Sequence, residues 1–164
     1  MGVPPGLGEE TGCEGTLNAQ DCLIVAPLDD QVRSLCEGAN FGHLATLMPD
    51  GSPMSIPVWV GVEGDRIAFF TQTMTLKARN IERDPRVAIS ITDRENPYRA
   101  GRIRGRVVST IEGDEALEVI DRISVRYTGQ PFPMRMGTVY LIEPEKSGFL
   151  ELPFEDKPGG EARG

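Results

Sequence analysis

"FGHLATLMPDGSPMSIPVWVGVEGDRIAFFTQ", residues 41–72, decides the fold. Its hydrophobic period is two rather than 3.6, and tight-turn signals interrupt it twice, at Pro49-Asp50-Gly51 and at Glu63-Gly64-Asp65. Three strands joined by two short turns result. In the second, Met54, Ile56, Val58, Val60 and Val62 share one face, while Ser55, Pro57, Trp59 and Gly61 take the other. This is a β-meander, and Pro57 in mid-strand marks an exposed or distorted edge, because proline cannot donate to a ladder. The same proline could instead protect an edge strand from aggregation.

Outward from the meander, the spacing of Leu28–Leu35 predicts a short amphipathic helix ended near Gly38. After it, "TQTMTLKARNIERDPRVAIS" (71–90) predicts a second helix, stopped by Asp84-Pro85. "RVAISITD" is a strand burying Val87, Ile89 and Ile91. "RIRGRVVSTI" is another, in which Arg102, Arg104 and Arg106 form a wetted face against Ile103, Gly105 and Val107. "DEALEVIDRISVRYTG" is the clearest helix, with an apolar stripe of Ala116, Leu117, Ile120, Ile123 and Val125 and a terminating Gly129. A last strand runs through "GTVYLIEP". Six strands with helices after the third and the fifth imply a mainly β (α+β) protein, an antiparallel sheet curled into a barrel with helices at its margins.

Composition bounds the function. The 164 residues suffice for one core. With 39% hydrophobic and 26% charged residues they describe an ordinary soluble chain, with neither a spanning segment nor a signal peptide in prospect, so the expected compartment is the cytoplasm. Cys13, Cys22 and Cys36 follow no CxxC spacing and are expected as reduced thiols. The net charge of −8 is uneven: residues 1–30 hold six acidic and no basic side chains, whereas 31–142 hold thirteen acidic and fourteen basic ones. The acidity lies in the tails, and the near-neutral centre lacks the basic footprint of a nucleic-acid binder. The domain is expected over 28–146, preceded by an acidic flexible arm (1–27) and followed by a tail (147–164).

A single histidine, His43, excludes multi-histidine metal sites and histidine-based triads, and His43 itself reads as a structural residue. No GxGxxG or GKS/T loop is present. An enzyme built from this chain needs a borrowed cofactor. Lys77 and Arg79 open the second helix with no acidic residue before Glu82, opposite to the usual preference at the positive end of a helix dipole. Thr73 or Thr75 can cap that helix, and Lys77 and Asn80 share a face at i, i+3. Such a terminus suits a phosphate; it could equally be a solvated face sharing charge with Glu82 and Asp84.

"GHLATLMPDGSPMSIPVWV", "FFTQTMTLKARNIERDPRVAISITDRENPY" and "GRIRGRV" together resemble the pyridoxamine 5′-phosphate oxidase-like, flavin-binding split-barrel superfamily, most nearly its members that bind the deazaflavin coenzyme F420. The resemblance spans roughly residues 36–143, through K-x-R-N, R-D-P-R-V and N-P-Y-R. It implies a six-stranded antiparallel split β-barrel forming a homodimer, with two cofactors at the interface. The phosphate would be held by Lys77, Arg79 and Asn80 with Thr71 and Thr73 nearby. The ring would lie against Ser55, Pro57, Val58 and Trp59, although Trp59 also reads as core packing. Tyr98 and Arg99, in a loop reaching toward the partner's cofactor, are weaker candidates. A cofactor bearing a polyglutamate tail would find a cationic edge at Arg102, Arg104 and Arg106. The resemblance implies hydride transfer from reduced F420, or alternatively FMN chemistry, to a conjugated carbonyl, quinone or tetrapyrrole; a non-catalytic carrier or sensor of flavin, haem or F420 is the rival expectation. Neither a nucleic acid nor a membrane is expected as a partner, no metal is expected, and no side chain stands out as the catalytic acid. Relatives often carry a second basic residue before the lysine, where this chain has Leu76. The tail also lacks the Arg-rich, Trp-containing ending of true pyridoxamine 5′-phosphate oxidases, which argues against that activity.

Overall fold

A computed structural model describes residues 28–154. The elements are α1 (Asp30–Glu37), β1 (Phe41–Leu47), β2 (Pro53–Glu63), β3 (Arg66–Thr71), α2 (Leu76–Arg83), β4 (Arg86–Thr92), β5 (Arg99–Ile111), α3 (Gly113–Thr128) and β6 (Thr138–Glu151). The six strands close a barrel in the order β1-β2-β3-β6-β5-β4, every neighbouring pair antiparallel. The meander is as expected, and its turns are built by the residues that signalled them. Gly51 adopts φ 83° and Gly64 φ 61°, and Asp50 Oδ1 accepts from Ser52 N at 3.0 Å and Ser52 Oγ at 2.6 Å.

Two apolar layers hold the barrel. Inside it, Leu44, Val60, Ile67, Phe69, Ile91, Ile103 and Ile142 are almost fully buried. Outside, Ala116, Val119, Ile120 and Ile123 of α3 cover Ala68, Val139 and Leu141, the outward residues of β3 and β6. Burial on both faces explains why β3 reads as a continuous apolar run rather than an alternation. On α3 the stripe needs one correction. Val125 is 46% exposed, because a residue five positions after Ile120 points about 140° away from it. Val119 and Ser124 take the buried positions, and Leu117 packs at the margin.

The last strand runs seven residues past Pro144, to Glu151. The β5–β6 register shifts between Arg104 and Gly105 and again between Val107 and Ser109. At the first shift Gly105 admits the Glu143 carbonyl so closely that a Cβ would stand 2.1 Å from its oxygen. The irregularity accommodates Pro144 and lets pairing continue to Arg99↔Glu151. The arm (1–27) and residues 155–164 of the tail lie outside the described residues.

Asp29 caps α1, accepting from Gln31 N at 2.9 Å and Val32 N at 3.1 Å. Cys36 is a free, buried thiol whose pKa burial pushes up to about 12, which makes it unreactive.

Candidate functional site at the β2–β3 split

The seam between β2 and β3 is laddered over only part of its length. Val60↔Phe69 ends the β2–β3 ladder, so Pro53–Trp59 pair only with β1, while Phe70 and Thr71 pair with β6. Val60 N–H donates to the Tyr127 hydroxyl at 3.1 Å, and that hydroxyl donates in turn to the Asn40 carbonyl, just upstream of β1. Val60 therefore turns its peptide groups toward β1. By strand alternation those of Ser55, Pro57 and Trp59 face the opposite, unpaired edge. The missing N–H of Pro57 falls on that open edge, where no ladder bond is lost.

The α2 helix crosses the gap. At its start, Thr75 is the N-cap: its Oγ1 accepts from Ala78 N at 3.4 Å, lies 3.2 Å from Thr71 Oγ1 and donates to the Gln72 carbonyl at 2.9 Å. At its end, Asn80 Nδ2 donates to Thr46 Oγ1 at 3.0 Å and to Met48 Sδ at 3.4 Å, and Arg83 donates to the Leu47 carbonyl. Asp84 adopts the extended conformation required before Pro85. The helix thus runs from the end of β3 to the end of β1.

The expected phosphate residues separate on this frame. Lys77 is half-buried, and burial lowers its pKa. Among the described residues no carboxylate lies within 4.0 Å of it and no hydrogen bond reaches it. The Leu76 and Lys77 N–H groups, in the first turn, have no intrahelical acceptor. Thr73 is exposed in the preceding loop and Thr71 is buried at the end of β3. Arg79 is exposed, and its Nη2 donates back to the Met74 carbonyl at 3.2 Å. Asn80 is fully buried, so its side chain anchors α2 on β1 and does not face solvent.

The expected ring residues divide in the same way. Ser55 and Pro57 are exposed, and Val58 is 8% exposed in the barrel core. Trp59 belongs to the packing under α3: it stacks on Tyr127 with centroids 5.0 Å apart, and meets Phe70 and Phe132 edge-on at 6.2 Å each. Tyr98 and Arg99 lie at the opposite end of the barrel from α2, at the start of β5. Tyr98 packs on Phe154, while Arg99 pairs with Asp93 at 3.1 Å and Glu151 at 3.5 Å. One chain does not bring them to Lys77.

His43 is exposed, not packed, and stands directly opposite Pro57 on the outer face of β1. Cross-strand register, which a sequence without known pairing does not reveal, makes it a neighbour of the split. Exposed Met74 and Leu76 precede Lys77 in the chain, and exposed Met136 adds to this apolar rim through Gln72, whose Nε2 reaches its Sδ at 3.5 Å. A groove of about 400 Å³ flanks the other side of α2, between Ala78, Ile81 and Glu82 and the Val107–Thr110 stretch of β5.

Residues 28–150 match the pyridoxamine 5′-phosphate oxidase family. The chain belongs to that family. Pyridoxamine 5′-phosphate oxidase-like proteins are cofactor-binding oxidoreductases using flavin-type cofactors, FMN or F420. Among solved structures, an F420 reductase is 32% identical, covering 71% of this chain and 94% of its own at TM-score 0.63. A conserved hypothetical protein from Mycobacterium tuberculosis is 25% identical, covering 80% and 92% at TM-score 0.65. General Stress Protein 26 from Bacillus anthracis, at 17% identity and TM-score 0.58 over 73% of this chain and 91% of that one, shares the fold. No curated protein gave a significant match. Among the described residues no acidic, cysteine or histidine group could hold a metal, and no helix is long and apolar enough to cross a membrane.

Proposed function

We propose that this chain is an F420-dependent reductase of electron-poor small molecules such as conjugated carbonyls, quinones or tetrapyrroles, acting as a homodimer with cofactors at the interface. The observation that carries the reading is Lys77: a half-buried ammonium with no counter-ion among the described residues, in the first turn of α2, whose leading N–H groups have no intrahelical acceptor. Partial burial disfavours the unpartnered ammonium, and a phosphoryl group bound there offsets that cost. Thr73, in the preceding loop, and Arg79, two residues further along α2, are both exposed and are the remaining candidates to complete the grip. The likeness to an F420 reductase supports the deazaflavin over FMN.

Asn80, committed to Thr46, acts in this reading by fixing where α2 begins. Trp59 stiffens β2 from behind, and Val58 contributes main chain only. Ser55 and Pro57 present a flat open edge to a ring, and the methionine rim offers apolar cover to an acceptor. Tyr98, remote from Lys77 within one chain, is free in a dimer to face the partner's cofactor. Bound reduced F420 supplies the hydride. The chain's part is to hold donor and acceptor in near-attack geometry, and the proton comes from solvent, since none of Ser55, Pro57 and Trp59 on the open edge is an acid.

Absorbance and fluorescence titrations of the purified protein with F420 and with FMN test this. Tight F420 binding with acceptor-dependent oxidation of reduced F420 is expected. Turnover with FMN alone makes it an FMN enzyme of the same fold, binding without turnover makes it a carrier, and binding of neither removes the proposal.

A further inference from the structure

Unmatched positive charge also gathers on the β5–β6 face of the barrel. Arg104 faces Lys146 directly across the β5–β6 ladder, and Arg102 faces Gly148 two pairs along. Gly148 makes room for that arginine, since a Cβ there would stand 3.3 Å from Arg102 Nε. Like charges opposed on neighbouring strands repel. The adjacent arginines are relieved: Arg86 pairs with Asp84 at 2.7 Å and Arg106 with Glu145 at 2.6 Å. Arg102, Arg104 and Lys146 are not, for among the described residues no carboxylate lies within 4.0 Å of them. With Ile103 and Ser147 they line a cleft of about 400 Å³, and a second cleft of about 240 Å³ continues past Gly105 to Arg86.

Ser147 connects this cleft to the beginning of the chain. Its Oγ accepts from Asp29 N at 3.0 Å, so the segment that enters α1 passes the cleft's wall. Upstream lie Glu9, Glu10, Glu14 and Asp21, with no lysine or arginine among residues 1–27. At about 3.3 Å per residue, the seven residues from Leu28 back to Asp21 span up to roughly 23 Å, so reach is no obstacle. We propose that the acidic segment 9–21 of this chain docks in the β5–β6 cleft, its carboxylates pairing with Arg102, Arg104 and Lys146. Tethering beside the cleft gives the segment a high effective concentration, so weak ion pairs suffice. The contact is salt-sensitive, because the cations are exposed. This inference does not rest on the cofactor site; it gives to the arm the cationic edge that the resemblance would offer a polyglutamate tail.

The sequence supplies a clean reporter, since its lysines are Lys77, Lys146 and Lys157. Zero-length carbodiimide coupling of the full cofactor-free chain joins a lysine only to a carboxylate it touches, and mass spectrometry reads the pairs. A mixture of ¹⁵N-labelled and unlabelled protein separates links within one chain from links between copies. The expected result is intrachain coupling of Lys146 to Glu9, Glu10, Glu14 or Asp21. It should fall about fivefold or more at roughly 0.5 M salt, where the Debye length is about 4 Å. A variant carrying Glu9→Gln, Glu10→Gln, Glu14→Gln and Asp21→Asn leaves the barrel untouched and should acetylate faster at Lys146 but not at Lys77. Absence of the coupling, coupling between copies only, coupling at Lys77 to the same extent, or an unchanged acetylation rate each overturns the proposal.

Discussion

Replacing Lys77 by alanine removes one charge-assisted contact and leaves the frame that positions it, because neither α2's cap nor its anchor uses that side chain. Such contacts contribute about 1.5–3 kcal/mol, which corresponds to roughly 10- to 150-fold in affinity. Lys77 is only half-buried, so solvent screening places the loss near the lower end, about tenfold. The cofactor-free protein should respond in the opposite sense. Burial lowers the Lys77 pKa, so the charged ammonium disfavours the folded state. That penalty is fully present below the lowered pKa and fades as pH rises through it toward the unfolded value. At neutral pH Lys77→Ala should therefore melt at or slightly above the wild-type temperature without cofactor, yet gain less from adding it. Fluorescence titration of F420 and paired thermal melts, with and without cofactor, measure both effects. A folded Lys77→Ala protein with wild-type affinity would refute the placement of the phosphate at α2.

Further expectations concern the frame. Gly105→Ala puts a Cβ 2.1 Å from a main-chain oxygen that cannot turn aside; the variant should fail to accumulate as folded protein, as circular dichroism would show. Tyr127→Phe leaves Val60 N–H and the Asn40 carbonyl without their bridging hydroxyl, and chemical denaturation should show a loss of about 1–3 kcal/mol. Asn80→Leu strips partners from Thr46 and from the end of α2; it should lower stability by a similar amount, about 1–3 kcal/mol, and weaken cofactor binding as well by loosening the helix. Asp84, whose pKa Arg86 holds near 2, contributes stability that is present above its unfolded value and lost as pH falls through about 2. The stability difference between wild type and Asp84→Asn should shrink over that acid range.

The strands of the meander, the proline-stopped helix after it and the glycines of its turns were legible because local steric and hydrophobic rules set them. A period of two and an Asp-Gly at a turn mean the same thing wherever they occur. The unusual sign of Lys77 was legible for the same reason, since helix polarity is a local property. Strand pairing was not. Only closure of the barrel shows that Val60↔Phe69 ends a ladder, that α2 spans the opening, and that His43 stands beside Pro57. Asn80 and Trp59 mark the limit. Each shares a short segment with residues that reach the split, but pairing and helix docking turn one into an anchor on β1 and the other into packing under α3. Likewise, alternation placed Arg104 on a wetted face, while only the register brought Lys146 opposite it. Contacts between residues far apart in the chain depend on how elements pack, and a linear pattern carries the periods of those elements but not their partners.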